Sequence, residues 1–357
     1  MRQNNHRVFV MSALAIIVVL AFQPVVGLVF GDTSATQPVS YSFISIDIPN
    51  FNGELGFTSL ADINNEGEIT GGFTDSSGFG FLIERQFRST DIQCPEAVNP
   101  APNAAPQSIN RHGEITGFCG TGGRLHGFFR NKKGRYTLLD FPGSTLTEAT
   151  GINDDGQVVG DYRDSSGRFH GFFWDAGLFL TIDVPFPGAT LTAPNGINNV
   201  GQIVGFYDDT IGGRHGFLYD RGSFISLDFP NSQLTALTDI NNHGQIVGVY
   251  VANDGILQSF LLENGRFTTI AVPFPDAIFT DVSGINNRGQ IVGRYVTANP
   301  GDPVNPFLSH GFVATPELEQ EGKWTRLVSK LNGGAHFRLR DLNKLGKDFP
   351  KWARGFH

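Results

Sequence analysis

From residue 41 onward the apolar positions fall in short runs separated by clusters of Gly, Asn, Asp and Pro. Runs this short predict strands, and the polar clusters between them predict turns. The clearest unit is Gly-Ile-Asn-x-x-Gly-x-Ile/Val-x-Gly-x-Tyr, present as Gly196 to Tyr207 and Gly284 to Tyr295, with substitutions at Asp62 to Phe73 and Ser108 to Cys119. It predicts a hairpin: Asn198 can bond its own backbone and Gly201 can take positive φ, so the chain reverses between two apolar runs. A third strand follows in the His-Gly-Phe segments at His126, His170, His215 and His310, with weaker versions at Phe79 and Gln258. A fourth has the form aromatic-x-x-apolar-Asp-apolar-Pro. It is seen from Phe43, Tyr136, Phe179 and Phe224, in a variant from Phe267 and in a stretched copy from Phe87 to Pro95.

The Ile-Asn pair recurs at Ile63, Ile109, Ile152, Ile197, Ile240 and Ile285, at spacings of 46, 43, 45, 43 and 45 residues. Four short strands in about 45 residues is the size of one propeller blade. The expected fold is therefore an all-β, six-bladed β-propeller of four-stranded blades over residues 36–316. The apolar runs are near-continuous, as expected where a sheet is covered on both faces. The Gly inside the second strand, such as Gly205 or Gly248, predicts close backbone approach. One fourth strand, Phe43 to Pro49, precedes the first hairpin, and the last repeat, ending at Val313, has none after it. An open stack would leave unpaired edges at both ends. A ring in which the N-terminal strand completes the last blade leaves none.

Composition adds two flanking segments. Residues 1–35 read as a signal peptide or N-terminal anchor: Arg2, His6 and Arg7 precede an apolar run from Val8 to Phe22. Cleavage after Gly27 or Ala35 and an uncleaved span from Val8 to Phe30 both remain open, and no later apolar stretch is long enough to cross a bilayer. The expected location is secreted or periplasmic, without membrane contact beyond the export segment. Residues 317–357 form a basic extension, open between a short helix, a docked segment and a mobile tail. Residues 36–316 carry 28 Asp and Glu against 15 Lys and Arg, which argues against nucleic acid as a partner.

With these repeats in view, the chain resembles the HAF-repeat family of bacterial extracellular proteins, whose hairpin is followed by a His-x-Phe strand. The resemblance spans roughly residues 41–314 and implies an exported, propeller-like protein, with no catalytic residues to carry over. Family members often end in a Pro-Glu-Pro sorting signal with a terminal apolar helix, and residues 317–357 contain neither.

The candidate chemistry is repetitive. Asn64, Asn110, Asn153, Asn198, Asn241 and Asn286 stand in all six copies and are expected to be turn residues. His126, His170, His215 and His310 occupy equivalent positions, where a shared structural task outweighs metal binding. Asp47, Asp91, Asp140, Asp183 and Asp228 precede the fourth-strand Pro and are expected to accept hydrogen bonds from backbone N–H groups or from the His residues. Equivalent carboxylates do not supply the distinct acid and base that glycoside chemistry needs. Asn153-Asp154-Asp155-Gly156 lacks the ligand spacing of a calcium loop. Cys94 and Cys119 are expected to pair, because an exported chain with two cysteines favours a disulfide. Cys119 stands where four other repeats have Tyr, and Cys94 lies near the position of Phe141 or Phe229, so the pair would replace an aromatic contact between blades. No nucleophile elbow, phosphate loop or dinucleotide fingerprint appears, and no cofactor or metal is implied. The expected function is a monomeric, non-enzymatic scaffold or binding module for an extracellular carbohydrate or protein ligand. The alternative is a propeller hydrolase or lyase acting on extracellular polysaccharide. Function would be grafted where repeats diverge: Glu96 to Gln107, the Pro185 and Pro273 loops, and Asn299 to Ser309.

Overall fold

A computed structural model describes residues 40–48, 57–73, 79–84, 88–94, 104–121, 124–301 and 306–317. The expected export segment, most of the basic extension, and parts of the Glu96 to Gln107 and Asn299 to Ser309 stretches lie outside the described residues. Within them the chain is all strand and turn, without a helix.

The strands are β1 (Tyr41–Ile46), β2 (Thr58–Ile63), β3 (Ile69–Phe73), β4 (Phe79–Glu84), β5 (Arg88–Ile92), β6 (Ala104–Ile109), β7 (Ile115–Thr121) and β8 (Arg124–Arg130). They continue with β9 (Tyr136–Leu139), β10 (Leu146–Ile152), β11 (Val158–Arg163), β12 (Phe169–Asp175), β13 (Leu178–Ile182), β14 (Ala189–Ile197), β15 (Ile203–Asp209) and β16 (Arg214–Asp220). The last eight are β17 (Ser223–Ser226), β18 (Leu234–Ile240), β19 (Ile246–Val251), β20 (Leu257–Glu263), β21 (Arg266–Ile270), β22 (Ala277–Ile285), β23 (Ile291–Ala298) and β24 (Phe307–Pro316). Strands β2 to β5, β6 to β9 and β10 to β13 each form an antiparallel four-stranded sheet in chain order. Strands β14 to β17 and β18 to β21 repeat the arrangement and are joined into one eight-stranded sheet by a single parallel bridge, Arg214 to Leu234. The last sheet takes its outer strand from the other end of the chain: β22, β23 and β24 are followed by β1, with Phe43 opposite Ala314.

Each hairpin between a first and second strand closes in the same way. Asn198 N–H donates to Gln202 O at 3.0 Å, Gly201 N–H donates to Asn198 O at 3.1 Å, and Gly201 takes φ 79°. A β-bulge precedes every one of these turns, between Leu60 and Asp62 in the first sheet and between Leu237 and Asp239 in the fifth. The bulge adds one residue and so reverses which face the next side chain meets.

Three features repeat because the sheets crowd one another. The third strand buries one Phe per sheet: Phe81, Phe128, Phe172, Phe217, Phe260 and Phe312 are all essentially inaccessible. The second-strand glycine opposite each Phe is required by space, since a Cβ on Gly248 would sit 2.5 Å from Ala236 O and 2.7 Å from the Phe260 ring. A threonine of the first strand clamps the chain arriving from the sheet before it. Thr58, Thr147, Thr192, Thr235 and Thr280 accept from the backbone N–H of Ile48, Phe141, Val184, Phe229 and Val272 at 3.0 to 3.2 Å.

The second sheet has Ala104 in place of that threonine. There, Cys94 and Cys119 form a disulfide with Cα atoms 5.6 Å apart, tying the chain after β5 to β7 of the next sheet. The equivalent positions are aromatic elsewhere: Phe141 stacks on Tyr162 and Phe229 on Tyr250, both with centroids 3.6 Å apart.

Side chains of neighbouring sheets share their cores. Val159 of β11 packs with Ile197, Ile203 and Phe217 of the following sheet. The last sheet and the first share a core in the same way, through Ile46, Val292 and Val313 against Leu60, Ile63 and Phe81.

Candidate functional site

The six hairpin turns gather at one end of the sheets, where Asn64, Asn110, Asn153, Asn198, Asn241 and Asn286 are all buried. Each side chain uses its full hydrogen-bonding capacity. In Asn198, Oδ1 accepts from the N–H of Val200 and Gln202, and Nδ2 donates to Gln202 Oε1 and to Asn241 O of the next sheet. The inter-sheet bonds form a circuit. Asn64 donates to Asn110 O, Asn110 to Asn153 O, Asn153 to Asn198 O and Asn198 to Asn241 O. Asn241 then donates to Asn286 O, and Asn286 to Asn64 O at 3.1 Å.

A second belt runs beside it. The backbone N–H of Arg111, Asp154, Asn199, Asn242 and Asn287 each donates to a side-chain oxygen of the next turn, namely Asp154, Asn199, Asn242, Asn287 and Asn65. Arg111 has no acceptor oxygen to offer in its turn. Its guanidinium lies 3.6 Å from Asp154.

These turns line an open cavity of about 60 Å³. Its lining departs from the repeat just before each Ile: Gly151, Gly196 and Gly284 are replaced in the other three copies by Asp62, Ser108 and Asp239. Asp62 accepts from Ile63 N–H at 2.7 Å and, on its other oxygen, from Ser108 Oγ and Ile109 N–H of the next sheet at 2.7 and 2.9 Å. Asp239 accepts from Ile240 N–H and from Ile285 N–H. Both carboxyls staple one sheet to the next. Burial pushes Asp62 up to about 6 against the lowering effect of those donors. Burial and the charge of Asp62 hold Asp239 well above the usual carboxylate range.

The four histidines stand at the opposite end of the sheets from the Asn turns, each against a fourth-strand aspartate. His126 Nδ1 lies 2.9 Å from Asp140, His170 Nδ1 2.7 Å from Asp183, and His215 Nδ1 2.9 Å from Asp228. His310 Nδ1 lies 2.8 Å from Asp47, joining β24 to the N-terminal strand. The rings of His170, His215 and His310 stack on Tyr162, Tyr207 and Tyr295. His215 also contacts Asp209 at 3.4 Å. Burial lowers the pKa of His215, but the bonds and charges of Asp228 and Asp209 outweigh it and hold the value above the ordinary one. Among the described residues no group of three or more His, Cys, Asp and Glu is arranged to hold a metal ion.

The residues that sequence analysis did not single out are Asp62, Ser108, Asp239 and Arg111. Their signal was present as exceptions: Asp or Ser before Ile-Asn where three repeats have Gly, and Arg after it where four have Asn.

No family model matches the chain. None of the curated proteins matches it either. Among solved structures it is similar to a streptogramin B lyase (12% identity over 78% of this chain and 98% of that one, TM-score 0.44). It is also similar to TolB from Acinetobacter baumannii (12% identity, 73% and 64% covered, TM-score 0.48). A third is the β-propeller domain of the Trilobed protease from Pyrococcus furiosus (10% identity, 72% and 78% covered, TM-score 0.44).

Proposed function

We propose that this chain is an exported, six-bladed β-propeller of the HAF-repeat type, closed through β1, that works as a monomeric, non-enzymatic binding module for an extracellular carbohydrate or protein. Support for closure comes from the pairing of β1 with β24 and from the Asn286 to Asn64 bond, which returns the circuit to its start. Support for an oxidising compartment comes from the Cys94–Cys119 disulfide.

The size of the cavity carries the choice of binding over catalysis. Ligand-enclosing sites occupy about 300–1,000 Å³, whereas this one holds about 60 Å³. A sugar cannot be swallowed there, so a ligand meets the rim, where Arg111, Asp154 and the amides of Asn65, Asn199, Asn242 and Asn287 offer donors and acceptors to hydroxyl or peptide groups. The alternative, a hydrolase or lyase acting on polysaccharide, draws on Asp62 and Asp239, two carboxyls at the same repeat position with raised pKa in one cavity. Both are already occupied as acceptors of buried backbone N–H groups, which favours the binding reading.

The test is a glycan and peptide array probed with the purified chain, alongside a polysaccharide turnover assay. The expected result is retention without turnover, weakened at least about tenfold by Arg111→Ala, the loss of a good polar contact. Turnover abolished by Asp239→Asn would replace this function with the enzymatic one.

A further inference from the structure

In the third sheet Glu148 of β10 stands directly opposite Asp161 of β11 in the antiparallel register. Cross-strand partners share a face of the sheet. The residue beside Glu148, Thr147, approaches Gly127 of the preceding sheet, so alternation turns Glu148 and Asp161 the other way, toward β14. Both are buried, at 2% and 5% exposure. Glu148 Oε1 has no hydrogen-bond partner.

Other sheets show what this cross-strand position accepts. It holds Ala105 and Phe118, Ala193 and Phe206, or Ala236 and Val249 in three of them. In the last sheet it holds Asp281 and Arg294, an ion pair at 3.1 Å. Apolar pairs and a compensated charge are both stable there; two facing acids need a positive charge from elsewhere.

Among the described residues no cation forms an ion pair with either carboxyl. Strands β6, β7 and β14 carry no titratable side chain apart from the disulfide-bonded Cys119. From β8, Arg124 donates from a terminal guanidinium nitrogen to Ser144 Oγ while its Nε is buried without a partner, His126 pairs with Asp140, and Arg130 lies over the Tyr136 ring. From β11, Tyr162 bonds Thr181 and Arg163 bonds Gly167 O. From β12, His170 pairs with Asp183 and Asp164, and Asp175 accepts from Gln157.

We propose that Glu148 and Asp161 share a bound proton, which makes the seam between the third and fourth sheets a device that holds in acid and loosens as the medium turns alkaline. Burial and the facing carboxylate push Glu148 up to about 9, and burial pushes Asp161 up to about 7. These folded values exceed the unfolded ones. The contribution to stability is therefore complete below the ordinary carboxyl range and declines as the pH rises through the folded values. A proton fits better than a calcium ion, which needs six to eight oxygens, because among the described residues no third acidic, His or Cys side chain joins the pair to make a metal site.

The experiment follows the thermal midpoint of the full chain from about pH 5 to about pH 10 for wild type, Glu148→Gln and Asp161→Asn, each with a chelator or with added calcium. The wild-type midpoint is expected to fall by about 5 °C more than that of Glu148→Gln over this range, an effect of a few pKa units on a protein of this size. The chelator is expected to change nothing. Parallel curves for wild type and variant overturn the proposal, as does calcium that raises the wild-type midpoint but not that of Glu148→Gln. If neither variant folds, the wild type decides alone through glutamate labelled with ¹³C at the δ-carboxyl. One Glu resonance titrating above about pH 7 is expected, and titration of all of them near the ordinary value of about 4.3 overturns the proposal.

Discussion

Reducing the Cys94–Cys119 disulfide isolates one covalent contribution to a seam that the other sheets close without sulfur. The bridge spans 25 residues, and loop-closure entropy for that length gives about 3.5 kcal/mol at 25 °C. Residues 40–317 carry an unfolding entropy of roughly 0.6 kcal/mol/K at the usual per-residue value, so the midpoint should drop by about 6 °C. The assay is thermal unfolding followed by circular dichroism with and without a phosphine reductant, with Cys94→Ala/Cys119→Ala as the genetic equivalent. The double variant Cys94→Phe/Cys119→Tyr tests the comparison with the stacks of Phe141 on Tyr162 and Phe229 on Tyr250. It should recover about 1 kcal/mol, or 1–2 °C, over the alanine variant, the worth of an aromatic pair beyond its burial. A drop of less than about 1 °C on complete reduction would refute the reasoning, since the seam would then be held by contacts the bridge merely accompanies.

Other outcomes are equally definite. Asn198→Asp puts a carboxylate oxygen against the acceptors Asn241 O and Gln202 Oε1, and should cost about 3 kcal/mol or more in denaturant unfolding. Ala176 holds φ 47° in the turn between β12 and β13, where the equivalent residue between β20 and β21 is Asn264 at φ 52°. Ala176→Asn should therefore stabilise by about 0.5–1 kcal/mol, read as a rise in denaturant midpoint. His215 gains stability from its protonated form, so the advantage of wild type over Asp228→Asn should be complete below the unfolded histidine value of about 6.5 and vanish as the pH rises through the folded one. Thermal scans across that range measure the difference, and an NMR titration of His215 should show its pKa falling in the variant. Gly248→Ala, which forces a Cβ against Ala236 O and Phe260, should cost about 3 kcal/mol or prevent folding.

The turn residues and the strand count were legible because the Ile-Asn pair recurs at near-constant spacing, and a turn that needs an Asn and a Gly advertises both. The glycine of the second strand was legible for a similar reason, since no other residue fits between a first-strand carbonyl and a third-strand ring. The clamping threonine was in plain view, five residues before each Ile except at Ala104, but a hydroxyl on a strand reads like any other small β-former. The cavity lining was hidden by the bulge that precedes each turn. By adding a residue it breaks the alternation from which a facing direction is inferred, so Asp62 and Asp239 read as ordinary variation of a glycine. Glu148 and Asp161 were hidden differently: they are 13 positions apart in sequence, and only the register of β10 on β11 sets them opposite each other.

The pairing of β1 with β24 has a consequence for how the chain reaches its final state. Tyr41 meets Pro316 across nearly the whole described length, so among the described residues this strand pairing carries the largest loop-closure cost and is expected to form late. Until then the last-made sheet has a bare flank and the first-made strand has no partner, whichever order the middle assembles in. Removing β1 should thus leave a three-stranded remnant, β24–β23–β22, with a bare β24 edge, whereas removing β24 should leave only β23 and β22 together and strip β1 of its partner; both expose an adhesive edge that invites pairing with another chain.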